Sequence, residues 1–166
     1  METDNRSRSY SWQDPTLGSQ KGLQLSGMDY LKAMSAGELP FPPLMSTLDF
    51  RIGEMESGSV SFFMEPKEFH YNPLGSVHGG VISALLDSAM GCSIHTQLPK
   101  GTGYTTLELK VNFLRPITTK TGTLKCTGKV IHAGAKVALT EAKITDADGK
   151  VFAHGVSTCL LFPIPA

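Results

Sequence analysis

A chain of 166 residues, 40% of them hydrophobic, is long enough for one domain around one packed core. Its 15 basic residues balance its 15 acidic ones. That excludes the clustered excess of Lys and Arg that a broad nucleic-acid footprint needs, and leaves room only for a local patch serving one phosphorylated ligand.

Residues 1–22 are polar and contain no apolar h-region, so they read as a mobile N-terminal tail and not as a signal peptide. Residues 23–45 read as an N-terminal helix and a Pro-rich lead-in. Ser26 and Asp29 have capping-box spacing, which predicts a helix over 26–38 that must end before Pro40. Residues 46–166 read as the main domain. Strands are expected at 47–55, where Leu48, Phe50 and Ile52 alternate with Asp49 and Arg51, and at 59–65, with Glu56-Ser57-Gly58 as the turn between them. A loop over 66–75 leads to the longest expected helix, 77–98. Four more strands follow, near 104–115, 121–133, 136–146 and 151–162. In the first of these, Leu107, Leu109, Val111 and Phe113 alternate with Glu108, Lys110 and Asn112, the pattern of a half-buried strand. Ala133-Gly134 and Asp148-Gly149 mark hairpin connections. Links this short require antiparallel pairing, and one long helix on one antiparallel sheet is an α+β layout.

Cys92, Cys126 and Cys159 are far apart, with no C-x-x-C spacing, and read as reduced thiols of a cytoplasmic protein. His70, His78, His95, His132 and His154 show no zinc-ligand spacing, so no metal is expected. No run of 18 apolar residues exists to span a membrane.

The long helix carries the chemical signal. Val81, Leu85, Ala89 and Cys92 form one apolar row, and Ile82, Leu86, Met90 and Ile94 form the next. A helix apolar or small nearly all round is a buried one. Asp87 is the only charged residue between Val77 and Thr96, and its helical neighbours Ser83, Ala84, Met90 and Gly91 offer it no ion pair. A buried carboxylate without a partner is costly. Two explanations stand level: a general base or nucleophile, or a carboxylate paired with a group from another strand or subunit. The segment Asn72-Pro73-Leu74-Gly75-Ser76-Val77-His78-Gly79-Gly80 opens the helix. First-turn N–H groups lack intrahelical partners, and with the helix dipole they favour a developing oxyanion. Taken alone, Gly79-Gly80 is more simply explained by close helix packing or a tight turn. His78 reads as a residue fixing the turn, and Asn72 as an Asx-turn residue before Pro73.

The motif Asn72-x-x-Gly75-x-x-His78-Gly79-Gly80, followed by Asp87, resembles the hotdog-fold thioesterases of the phenylacetic-acid-degradation (PaaI-like) type. The resemblance runs from about residue 27 to residue 162 and includes the stretches 37–43 and 112–116. It implies a long central helix wrapped by a curved antiparallel sheet, here with an N-terminal helical extension. It also implies an acyl-CoA substrate with an aliphatic or aromatic acyl group, no cofactor beyond the CoA of the substrate, and a homodimer or homotetramer with sites between subunits. In its terms the Gly79 N–H polarises the thioester carbonyl. Asp87 of the other subunit serves as base or nucleophile, and Asn72 orients the carbonyl or the water. Thr106 holds the water, with Thr105 on the opposite face of the strand. His78 and Gly80 adjoin the substrate. Arg115, Lys120 and Lys136 are candidates for the CoA phosphates. A non-catalytic acyl-CoA-binding module, a sensor or scaffold, is the alternative. A hotdog hydratase would need an Asp and a His placed together, which His78 and His95 do not offer.

Overall fold

The computed structural model describes residues 5–164. Three short helices come first: α1 (Pro15–Gly22), α2 (Gly27–Ser35) and α3 (Pro43–Leu48). Strands β1 (Phe50–Glu56) and β2 (Ser59–Met64) precede the long helix α4 (Gly79–His95). Then come β3 (Thr102–Phe113), β4 (Leu124–Ala133), β5 (Val137–Thr145) and β6 (Val151–Pro163). All six strands join one sheet in the order β1-β2-β4-β5-β6-β3, and every pairing is antiparallel. This is the expected α+β hotdog arrangement, with α4 lying in the curve of the sheet.

The two hairpins form where turn chemistry predicts. Gly149 adopts φ 79°, and Asp146 Oδ1 accepts from the N–H groups of Asp148 and Lys150. Leu85, Leu86, Ala89 and Met90 of α4 are fully buried against Val60, Cys126 and Ile144 of the sheet. Two contacts fix the depth of the helix. Ser93 Oγ accepts from the Val60 N–H at 3.0 Å. At Gly128 of β4, a Cβ would lie 2.3 Å from the Ala89 carbonyl oxygen, so only glycine lets sheet and helix approach this closely. The sheet does not cover all of α4. Val81, Ala84, Asp87, Ser88 and Cys92 are half-buried, so the helix is less enclosed than its composition suggests.

The N-terminal region departs most from expectation. Residues 15–22 of the expected tail form α1, because Asp14 Oδ1 caps it by accepting from the Thr16 N–H at 2.9 Å and Pro15 occupies its first position. Upstream, the Arg8 guanidinium donates to the carbonyls of Ser46 and Thr47 and lies 3.9 Å from the Phe69 ring centroid. α2 starts as expected. Ser26 Oγ accepts from the Asp29 N–H at 3.2 Å and donates to Asp29 Oδ2 at 2.6 Å. The first strand begins later than expected. Leu48 ends α3, and Asp49 takes a left-handed φ of 52°, turning the chain before Phe50. Among the described residues no helix is long and apolar enough to cross a membrane.

Candidate active site

The loop entering α4 is tied down by its own polar groups. Asn72 Oδ1 accepts from the N–H groups of Leu74 at 2.9 Å and Ser76 at 3.3 Å, an Asx-type turn. The Val77 N–H reaches the Ile117 carbonyl, and the His78 N–H reaches the His70 carbonyl, both at 2.8 Å. His78 is the N-cap: its Nδ1 accepts from the Gly80 N–H at 2.9 Å. The Gly80 N–H is thereby taken up. The Gly79 N–H, at the first helical position, has no acceptor among the described residues. Gly79 lines a groove of about 370 Å³ with Asn72, Ser76, Phe113 and Arg115. Its missing side chain makes room for a ring, since a Cβ there would sit 3.1 Å from Phe113 Cζ.

Two turns further on, Asp87 is half-buried, and its Oδ1 accepts from Thr106 Oγ1 at 2.8 Å. The expected unpartnered carboxylate therefore has a partner, a hydroxyl from the sheet. A β-bulge selects Thr106 for this contact. In the β3–β6 ladder Thr106 faces Cys159 and Glu108 faces Thr158, which leaves Leu107 as the extra residue. Before the bulge the even positions face α4; after it Leu109 and Val111 pack against the core. Leu107 is 59% exposed, contrary to the simple alternation read from the sequence. Thr105 is exposed.

Asp87 and Gly79 are eight residues apart on one helix, a rise of about 12 Å. One chain thus holds two separate groupings, Asp87 with Thr106 and Gly79 with Asn72, and does not bring them together. Sequence reasoning missed the other groups around Asp87. Burial, with the Asp87 charge adding to it, pushes the Cys92 thiol up to about 12, so it stays protonated at neutral pH. Burial also raises the Tyr104 hydroxyl well above its ordinary value.

Residues 74–153 match the model of the thioesterase superfamily. A Saccharolobus solfataricus protein named as an esterase is 32% identical over 111 residues, 67% of this chain and 77% of that protein. The chain belongs to the thioesterase superfamily. The 1,4-dihydroxy-2-naphthoyl-CoA hydrolase of Listeria monocytogenes is 27% identical over 118 residues, 71% of this thioesterase and 93% of that enzyme. Among solved structures, a phenylacetic acid degradation-related protein of Ralstonia eutropha superposes with a TM-score of 0.71 at 29% identity, covering 78% of this chain and 97% of that one. The E. coli PaaI protein superposes with a TM-score of 0.71 at 24% identity, covering 85% and 99%. The long helix and curved sheet are thus those of the PaaI-like hotdog thioesterases, and the chain is a thioester hydrolase by family.

Proposed function

We propose that this thioesterase hydrolyses an acyl-CoA to the free acid and CoA, using Asp87 and Thr106 of one subunit and Gly79 and Asn72 of another. The observation that carries this reading is the division of the site along α4: a hydroxyl-bound carboxylate in the middle of the helix and an N–H without an acceptor at its start. A second copy would bring the halves together through the free edge of β3, whose outer N–H and C=O groups have no strand partner among the described residues. Antiparallel pairing of two β3 strands centred on Lys110, with the bulge at Leu107 taking up one residue, would set Thr106 of one opposite Phe113 of the other. Phe113 lies on Gly79, so the copy's helix start would arrive beside Asp87. The naphthoyl-CoA substrate in the name of the Listeria relative supports a CoA thioester.

In the reaction, the Gly79 N–H donates to the carbonyl oxygen and stabilises the charge that develops on it. Asp87 takes a proton from a water as that water's oxygen bonds to the carbonyl carbon; alternatively, its own oxygen attacks first and water then releases the acid. The C–S bond breaks, and the CoA thiolate leaves and is protonated. Thr106 holds the carboxylate or the water in line, and Asn72 keeps the helix entry in shape. A thioester is already activated, so a positioned base and one oxyanion donor, each contributing about 10²–10⁴-fold, suffice. Arg115, beside the Gly79 groove, is suited to a CoA phosphate.

The test is release of free thiol from an acyl-CoA panel. Asp87→Asn is expected to lose most turnover while keeping fold and oligomer. Unchanged turnover in that variant overturns the mechanism. Binding without turnover across the panel by the native protein overturns the enzymatic reading in favour of an acyl-CoA-binding module.

A further inference from the structure

Beyond Asp87, helix and strand continue side by side. Gly91 follows Asp87 by one turn on the same helical face, and Tyr104 precedes Thr106 by two positions on the same strand face. The Tyr104 ring fills the space left by the Gly91 side chain: a Cβ at Gly91 would sit 2.6 Å from Tyr104 Oη and 2.7 Å from its Cε2. The ring is braced from behind. His95 meets it edge-on at 5.6 Å and 62°, and Tyr30 of α2 stacks on His95 at 5.4 Å and 24°. α2 is held in turn by Gly27, whose N–H donates to the Leu98 carbonyl at 3.0 Å and whose missing Cβ would collide with the His95 carbonyl. None of these groups is a cation at neutral pH, since burial lowers the pKa of His95. The Gly79 groove, by contrast, carries Arg115. A phosphorylated CoA suits the second environment and an uncharged acyl group the first.

We propose that Tyr104 is a specificity-determining residue, whose ring, backed by His95 and Tyr30, closes the acyl pocket one helical turn beyond Asp87 and limits the acyl group to short or single-ring ones. This rests on the acyl-CoA reading above. One turn of helix is about 5.4 Å, so an extended long chain lying along α4 runs into the ring. Gly91 is part of the same device, because any side chain there would push the ring toward Asp87.

The experiment is a chain-length profile of kcat/KM, from acetyl-CoA to lauroyl-CoA with phenylacetyl-CoA included, for wild type, Tyr104→Ala and Tyr104→Phe, with thermal melts to verify folding. Wild type is expected to fall off beyond short acyl groups. Tyr104→Ala is expected to raise the lauroyl-to-butyryl ratio of kcat/KM by about tenfold or more. Tyr104→Phe keeps the ring and is expected to keep the wild-type cut-off, whatever it does to the rate. If Tyr104→Ala does not fold, Tyr104→Leu shortens the side chain with less loss of packing and is expected to shift the ratio the same way. A folded variant with the wild-type ratio, or a wild type that prefers lauroyl-CoA, overturns the proposal while the acyl-CoA reading stands. A wild type that turns over none of the series overturns that reading, and this inference with it.

Discussion

Replacing Thr106 with Val keeps the β-branch and removes one donor, the hydroxyl 2.8 Å from Asp87 Oδ1. A hydrogen bond to a charged group contributes about 1.5–3 kcal/mol when its partner is left dry. Asp87 is only half-buried, so water can take the place of the hydroxyl, and the stability loss should be about 1 kcal/mol or less. For a chain of this length that lowers Tm by roughly 2–4 °C. The effect on catalysis should be far larger. A base or water that is no longer held in line forfeits about 10²-fold in kcat, which no loss of folded protein at assay temperature can imitate. Thr105→Val is the matched control, since Thr105 is exposed on the other face, and its stability should stay within about 0.5 kcal/mol of wild type. The pair is read by steady-state thiol release with melting curves on the same samples. Full kcat in Thr106→Val, or an equal loss in Thr105→Val, would refute both the register and the role given to the hydroxyl.

Gly128→Ala should cost about 1–3 kcal/mol, because its Cβ meets the fixed backbone oxygen of Ala89 and α4 must lift off the sheet; a wild-type urea midpoint would show that the contact is slack. His70 is buried, with Nε2 on the Leu48 carbonyl at 2.8 Å and Nδ1 accepting from the Lys67 N–H at 3.0 Å, and burial lowers its pKa. The unfolded chain then binds the proton more readily. Stability should be complete above about pH 6.5 and fall below it. His95 adds in the same sense. His70→Gln should be less stable throughout but show a shallower pH dependence, and an unchanged slope would assign the effect elsewhere. Arg8→Ala removes a guanidinium that is held by two carbonyls and two aromatic rings. Chymotryptic cleavage near Tyr10 and Trp12 should quicken with little change in Tm, and equal cleavage rates would mean that Arg8 does not fasten the arm.

Much of this was readable from local pattern. The two apolar rows of α4, the Ser26–Asp29 cap and the glycines of the hairpins are signals contained within a few residues, and each produced the element it implies. Asp14-Pro15 is an equally local helix start, but the polar composition of residues 1–22 masks it, and α1 is the element that composition alone does not reveal. Other features were beyond reach in principle. The bulge at Leu107 depends on the β6 register, and without it the alternation across 107–113 assigns Leu107 to the wrong face. Asp87 looked unpartnered because its partner lies across the fold, out of range of i±4 reasoning. Gly79 and Gly80 look alike in sequence, and only the His78 side chain, folded back onto one of them, tells them apart.

The position of β3 also governs when the Asp87 half-site can exist. β1, β2, β4 and β5 are neighbours in the sheet and, apart from the excursion through α4 and β3, succeed one another along the chain. They can zip together beneath α4 as soon as they are available. β3 cannot join them, because its one strand partner is β6, and Thr106 waits on Cys159. Asp87 should therefore acquire its hydroxyl only when residues 151–163 have docked, so a nascent or truncated chain can hold most of its sheet and helix while remaining catalytically silent.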